Sequence, residues 1–286
     1  MRILFKSSLL FIFIITSGPL SAQQIQSPKT DVYQDGVILF EKGFFEESLN
    51  KLTQFKKNNT NSELSIFVDY YIARSKTGID STGIEYYYQS FIRDYPKHDL
   101  SKILLKDLGH RFSKNGNYED AITYYQESLK TYNSIATAAE TEYWVAEAAV
   151  EKGDNIEARR YFLALADKYP ESDWSPKALY ARGRLYLSEN KFDSSSIAFE
   201  VLKERYPNNP ITRRVGTALG ESYYQQGKYS ESIEALRVAM PYLDDESKEK
   251  AIFLIAESFN FLGDFKESSK AVPTLLVIGL LGYLSF

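Results

Sequence analysis

One turn recurs along this chain at an almost constant stride. Glu41-Lys42-Gly43-Phe44-Phe45, Lys114-Asn115-Gly116-Asn117-Tyr118, Glu151-Lys152-Gly153-Asp154-Asn155, Glu189-Asn190-Lys191-Phe192, Gln226-Gly227-Lys228-Tyr229 and Leu262-Gly263-Asp264-Phe265 are variants of one theme. Anchored on Gly43, Ile79, Gly116, Gly153, Asn190, Gly227 and Gly263, the successive spacings are 36, 37, 37, 37, 37 and 36 residues. Self-similarity at such a period marks a stacked repeat, because one supersecondary unit cannot bury its own apolar face.

Each copy reads as two helices about that turn. Glycine or asparagine just past a helix C-terminus fits a left-handed backbone that other residues resist. Seven residues before the turn stands a small residue in most copies: Gly36, Gly109, Ala146, Gly183, Gly220 and Ala256. Five residues after it stands another: Ser48, Ala121, Ala158, Ser195, Ser232 and Ser268. Small side chains at these two places let paired helices approach closely. Large ones surround them at helical spacing, with Phe112, Tyr186, Tyr223 and Phe259 on first helices and Tyr125, Phe162, Phe199 and Leu236 on second ones. Three second helices end in Tyr-Pro, at Tyr95-Pro96, Tyr169-Pro170 and Tyr206-Pro207, where proline cannot continue a helix. Ser194-Ser195-Ser196 reads as a helix start, its hydroxyls accepting orphan amide hydrogens.

Small–aromatic on the first helix, Gly-x-aromatic at the turn, small–aromatic on the second, then proline: this pattern resembles the tetratricopeptide repeat family. The resemblance runs from about residue 30 to 272, with copies three to six matching best. In the second copy Ile72, Ile79, Ser81 and Ile84 replace the small, turn and aromatic residues, so its turn geometry is expected to depart. The fold implied is all-α, a right-handed α-α superhelix of about seven helix-turn-helix repeats. Repeat length and the Tyr-Pro endings also resemble two bacterial envelope groups, the outer-membrane β-barrel-assembly lipoprotein and the division coordinator of the Tol-Pal system.

Stacked hairpins with a constant small rotation make a superhelix whose concave groove is lined mainly by first helices. By the family's geometry, the residue after the small one and a neighbour one helical turn away face inward. This selects Lys106 and His110, Tyr143 and Glu147, Tyr180 and Arg184, and Glu221 and Tyr224 as candidates for binding a partner polypeptide. Tyr143 and Tyr180 are 37 residues apart and are expected side by side. Tyrosine and arginine are frequent interface anchors. Core packing is the competing role for each tyrosine, and a solvated helix face the competing role for Glu147, Arg184 and Glu221.

Composition narrows the remaining classes. The net charge is −4 with no Lys/Arg-rich block, which disfavours nucleic acid as a partner. There is no cysteine and only two histidines, His98 and His110, which leaves no thiolate and no familiar metal spacing. Phosphate-loop, dinucleotide, nucleophile-elbow and zinc-protease motifs are missing, so neither an enzyme nor a cofactor is expected. Asp244-Asp245-Glu246 reads as a solvated linker.

The ends read differently from the array. Arg2 and Lys6, an apolar run from Leu9 to Thr16, and Leu20-Ser21-Ala22 form a signal peptide over residues 1–22, followed by a linker over 23–29. Gln23 stands where a lipoprotein would carry its lipidated cysteine, so the expected product is soluble, non-lipidated and periplasmic. Loss of the leader takes the net charge from −4 to −6. From Ala271 to Phe286 no residue is charged, and Pro273 interrupts the seventh copy. The 273–286 tail is open to three readings: a truncated or frame-altered array, an apolar helix folded back on the last repeat, or the start of a membrane anchor. The functional expectation is a non-catalytic scaffold in the bacterial envelope that holds other proteins or peptides in its groove. The alternatives are a component of outer-membrane assembly or Tol-Pal machinery, or the sensory ectodomain of a truncated signalling protein.

Overall fold

The computed structural model describes residues 28–130 and 135–270. The expected leader, most of the linker and the apolar tail lie outside the described residues. Among the described residues every regular element is a helix. They fall into two compact units divided after Gly83.

The first unit holds α1 (Pro28–Glu41), α2 (Phe45–Asn58) and α3 (Ser65–Ile79), then a short 3-10 turn (Ser81–Gly83). Helix α2 packs against both α1 and α3, with Leu52, Phe55 and Val68 at the centre. The second unit holds α4 (Ile84–Asp94), α5 (Asp99–Lys114), α6 (Tyr118–Leu129), α7 (Ile135–Glu151), α8 (Asn155–Lys168), α9 (Trp174–Ser188), α10 (Phe192–Arg205), α11 (Pro210–Gln225), α12 (Tyr229–Ala239) and α13 (Asp245–Phe261). Beyond α13 the chain turns at Gly263 and residues 265–270 are again helical.

The turns explain the hairpins. Among the described residues positive φ occurs only at Gly43, Gly116, Gly153, Gly227, Gly263 and Asn190. At each, two backbone bonds close the helix end. In α7, for example, Gly153 N–H donates to Val150 O at 2.8 Å and Asp154 N–H to Ala149 O at 2.9 Å. That pair satisfies carbonyls the helix would otherwise strand, and it reverses the chain within three residues. The second copy departs as its sequence suggests. Helix α3 ends at Ile79 and continues into an extended Asp80 (φ −127°), with no left-handed residue.

The paired small residues do what their spacing implies. A Cβ placed on Gly36, Gly109, Gly183 or Gly220 would lie 2.8 Å or less from Leu52, Tyr125, Phe199 and Leu236 respectively. Those four large side chains, each sixteen residues after its glycine, are buried at 1% exposure or less, so the missing methyl is the room they occupy. Fully burying such a side chain contributes ~1.5–3 kcal/mol. Their first-helix counterparts Phe112, Tyr186, Tyr223 and Phe259 stay half-buried.

Serine at the second small position adds a bond. Ser48, Ser195 and Ser232 each donate Oγ–H to the carbonyl of the facing glycine, Gly36, Gly183 and Gly220, at 2.7, 3.1 and 2.8 Å. This corrects the expectation for the serine triplet. Ser195 and Ser196 lie inside α10 and donate, to Gly183 O and Asp193 O, while Lys191 caps the helix without a side-chain bond. Of the expected solvated linker, Asp244 lies just outside α13 and caps it by accepting from Ser247 N–H, whereas Asp245 and Glu246 belong to its first turn; all three are exposed.

The Tyr-Pro ends are stitched alike. Ser101, Ser175 and Thr212, near the start of the next helix, donate their hydroxyls to the carbonyls of Tyr95, Tyr169 and Tyr206 at 2.6, 2.6 and 2.7 Å. Such identical joints fix the angle at which one hairpin meets the next, which turns a periodic sequence into a regular stack.

Candidate groove

Within the second unit the first helices α7, α9, α11 and α13 touch one another in series, whereas the second helices α8, α10 and α12 meet chiefly first helices. A stack whose first-helix layer is the more closely spaced curves toward that layer. The groove is therefore built from α7, α9, α11 and α13, with α5 ahead of them.

The stride places seven of the eight candidate residues in two stripes: Lys106, Tyr143 and Tyr180 recur every 37 residues, as do His110, Glu147, Arg184 and Glu221, while Tyr224 falls outside both. Lys106 on α5 pairs with Glu140 on α7 at 2.9 Å. His110, N-terminal to the last turn of α5, shares a hydrogen bond with the Tyr125 hydroxyl at 2.7 Å through Nδ1, and its ring meets Trp144 edge-on at 5.0 Å. Burial, reinforced by Lys106, lowers the His110 pKa from its ordinary 6.5, against a smaller opposing pull from Glu140.

Tyr143 packs against Phe162, Trp144 and Trp174, which leaves it half-buried at the edge of the core. Burial and a hydrogen bond to Glu147 raise its phenol pKa well above the usual value. Tyr180 sits against Phe199, and Tyr224 near Tyr229 and Phe261. Glu221 is paired with Lys250 of α13 at 2.8 Å. Arg184 is exposed and makes no ion pair, hydrogen bond or ring contact among the described residues.

Three participants were not singled out by the sequence. Trp144 and Trp174, the only tryptophans of the chain, lie 6.2 Å apart beside Tyr143. Lys177 holds its ammonium 3.9 Å from the Trp174 ring centroid. A signal for part of this existed: Glu140 and Lys177 are themselves 37 apart, one turn N-terminal to Tyr143 and Tyr180, so the same stride extends each pair to three residues. Two buried polar atoms on these helices, Trp144 Nε1 and Thr217 Oγ1, have no hydrogen-bond partner among the described residues. His98, just ahead of α5, caps it, its Nδ1 accepting from Leu100 N–H at 3.2 Å.

Chemically the surface offers half-buried rings, fixed ion pairs and a free guanidinium. Among the described residues no group of three or more His, Asp or Glu converges as a metal site requires, and no helix is long and apolar enough to cross a membrane.

Residues 106–173 and 146–210 match the model of the tetratricopeptide repeat family, a span that covers the third, fourth and fifth turns. Among solved structures the chain is similar to the ArsTM double mutant of MamA from strain RS-1, at 17% identity and TM-score 0.51, covering 63% of this chain and 96% of that one. It is also similar to a tetratricopeptide repeat protein from Parabacteroides merdae ATCC 43184, at 12% identity and TM-score 0.50, covering 88% and 93%. No curated protein matches the chain. These likenesses identify the fold as an all-α, tetratricopeptide-like solenoid. They add nothing for the finer likeness to the assembly lipoprotein or the division coordinator.

Proposed function

We propose that the chain is a non-catalytic scaffold that holds a partner polypeptide in the groove of its second unit, and that it works in the bacterial envelope after export. The observation that carries the first part is the serial packing of α7, α9, α11 and α13, which aligns chemically varied side chains from successive repeats on one concave surface. Side chains that recur every 37 residues form parallel stripes there, suited to reading an extended segment or a helix. The leader-like sequence of residues 1–22 supports the second part.

Site-specific photo-crosslinking in cells tests the site. A photoreactive residue at Tyr180 or Glu221 captures a discrete partner, whereas one at Ile156 or Ile197, 74% and 65% exposed on the second helices, does not. Equal capture from both layers, or none from the groove, refutes it. Cell fractionation tests the location: recovery of the processed chain in the cytoplasm contradicts an envelope role.

A further inference from the structure

The groove is electrostatically uneven, and the unevenness has a direction. Helix α9 contains Lys177, Arg182 and Arg184 and no acidic residue, in a chain whose net charge is −4. Its neighbour α7 is the reverse, with Glu140, Glu142, Glu147 and Glu151 and no base. The acids that flank α9 in the groove are already engaged: Glu140 by Lys106, Glu147 by the Tyr143 hydroxyl, and Glu221 by Lys250.

The cations of α9 are not so matched. Trp174, Lys177 and Arg184 fall at i, i+3 and i+10, on one face of the helix. Lys177 has a ring beneath it and no carboxylate, and Arg184 has nothing. An ammonium over a half-buried indole ring, with no carboxylate beside it, is matched by a carboxylate that arrives with an apolar neighbour. Packed helices lie ~8–10 Å apart. An extended chain advances ~3.3 Å per residue. The step from Lys177 to the rings on α7 therefore spans about three residues.

Resting on the groove reading above, we propose that the partner is an acidic segment, with one Asp or Glu over Lys177, another over Arg184 about 10 Å further along α9, and a large apolar residue about three positions from the first against Trp144 and Tyr143. The glutamates of α7 then act as a selectivity element, disfavouring a second acid over that helix.

A library of random linear dodecapeptides displayed on phage, panned against the full chain, tests this. Enriched peptides are expected to carry an excess of Asp and Glu. A synthetic copy of an enriched peptide is expected to change the tryptophan emission, which reports only this site because both indoles of the chain are here. Its affinity falls at least tenfold in a Lys177→Gln, Arg184→Gln variant with an unchanged melting temperature, and weakens with added salt. With Lys177→Glu and Arg184→Glu the selection shifts to basic peptides. Enrichment without an acidic excess, or undiminished binding to the double glutamine variant, overturns the acidic partner and leaves the groove reading standing. Failure to enrich any peptide counts against both.

Discussion

Replacing Gly183 by alanine sets two forces of opposite sign against each other. Alanine is the better helix former, and in mid-helix the exchange alone stabilises by ~1 kcal/mol. Here the new methyl would lie 2.4 Å from Phe199 Cε1, 2.7 Å from Cδ1 and 2.8 Å from Cζ. The ring cannot swing away cheaply: it is fully buried, within a cluster formed by Ala166, Leu179, Leu202 and Val215. Overpacking of this kind costs ~1–3 kcal/mol. With the crowding near the top of that range, the net is a loss of ~1–2 kcal/mol. The equivalent position of α7 supplies the reverse experiment, since Ala146 is fully buried in one cluster with Phe162. Ala146→Gly forfeits helix propensity and opens a void, so it too is expected to cost ~1 kcal/mol or more. Denaturant midpoints for the two variants therefore both fall. Propensity alone predicts opposite signs, so a Gly183→Ala chain that gains stability while Ala146→Gly loses it would refute the close approach of α9 and α10.

Asn190, the one described non-glycine residue with positive φ, is expected to accept glycine with a gain of a few tenths to ~1 kcal/mol, whereas Asn190→Ala costs ~1 kcal/mol, read as opposite shifts of the melting midpoint. His110 carries a pKa lowered from 6.5 by burial and by Lys106, so below pH 6.5 the unfolded chain binds the more protons. Stability is therefore expected to fall as pH drops from 6.5 toward the folded value, and that slope flattens in His110→Asn; an unchanged slope removes the histidine as its cause. A photoreactive group at Tyr180 should crosslink where one at Ile197 does not, as argued for the groove.

Much of this fold could be read from spacing because the repeat obeys local rules. A glycine at a left-handed turn, a small residue seven before it and another five after it each answer to sterics within one hairpin, so the sequence displays them directly. The second copy was legible for the same reason, since Ile79 cannot take a left-handed backbone and α3 accordingly ends without one. The site was legible only in part. Lys106, Tyr143, Tyr180 and Glu221 were reachable by counting from the small residue. Whether a charge is free or paired depends on the next repeat: Lys106 with Glu140 and Glu221 with Lys250 join residues 34 and 29 positions apart, off the 37-residue stride. Trp174 enters from the start of α9, nine residues before Gly183, and so lies outside the window the repeat pattern covers. The serine triplet departs from its sequence expectation for a related cause. A hydroxyl near a helix N-terminus suits a cap, but Ser195 faces Gly183 across the hairpin and finds a carbonyl there instead.

Hydrogen–deuterium exchange on the complex with the crosslinked partner addresses the central claim most directly. The account predicts new protection along α7, α9 and α11, strongest around Lys177 to Arg184, with α8 and α10 unchanged. Protection that falls on α8 and α10 instead, or that leaves α9 exchanging as in the free chain, would contradict it.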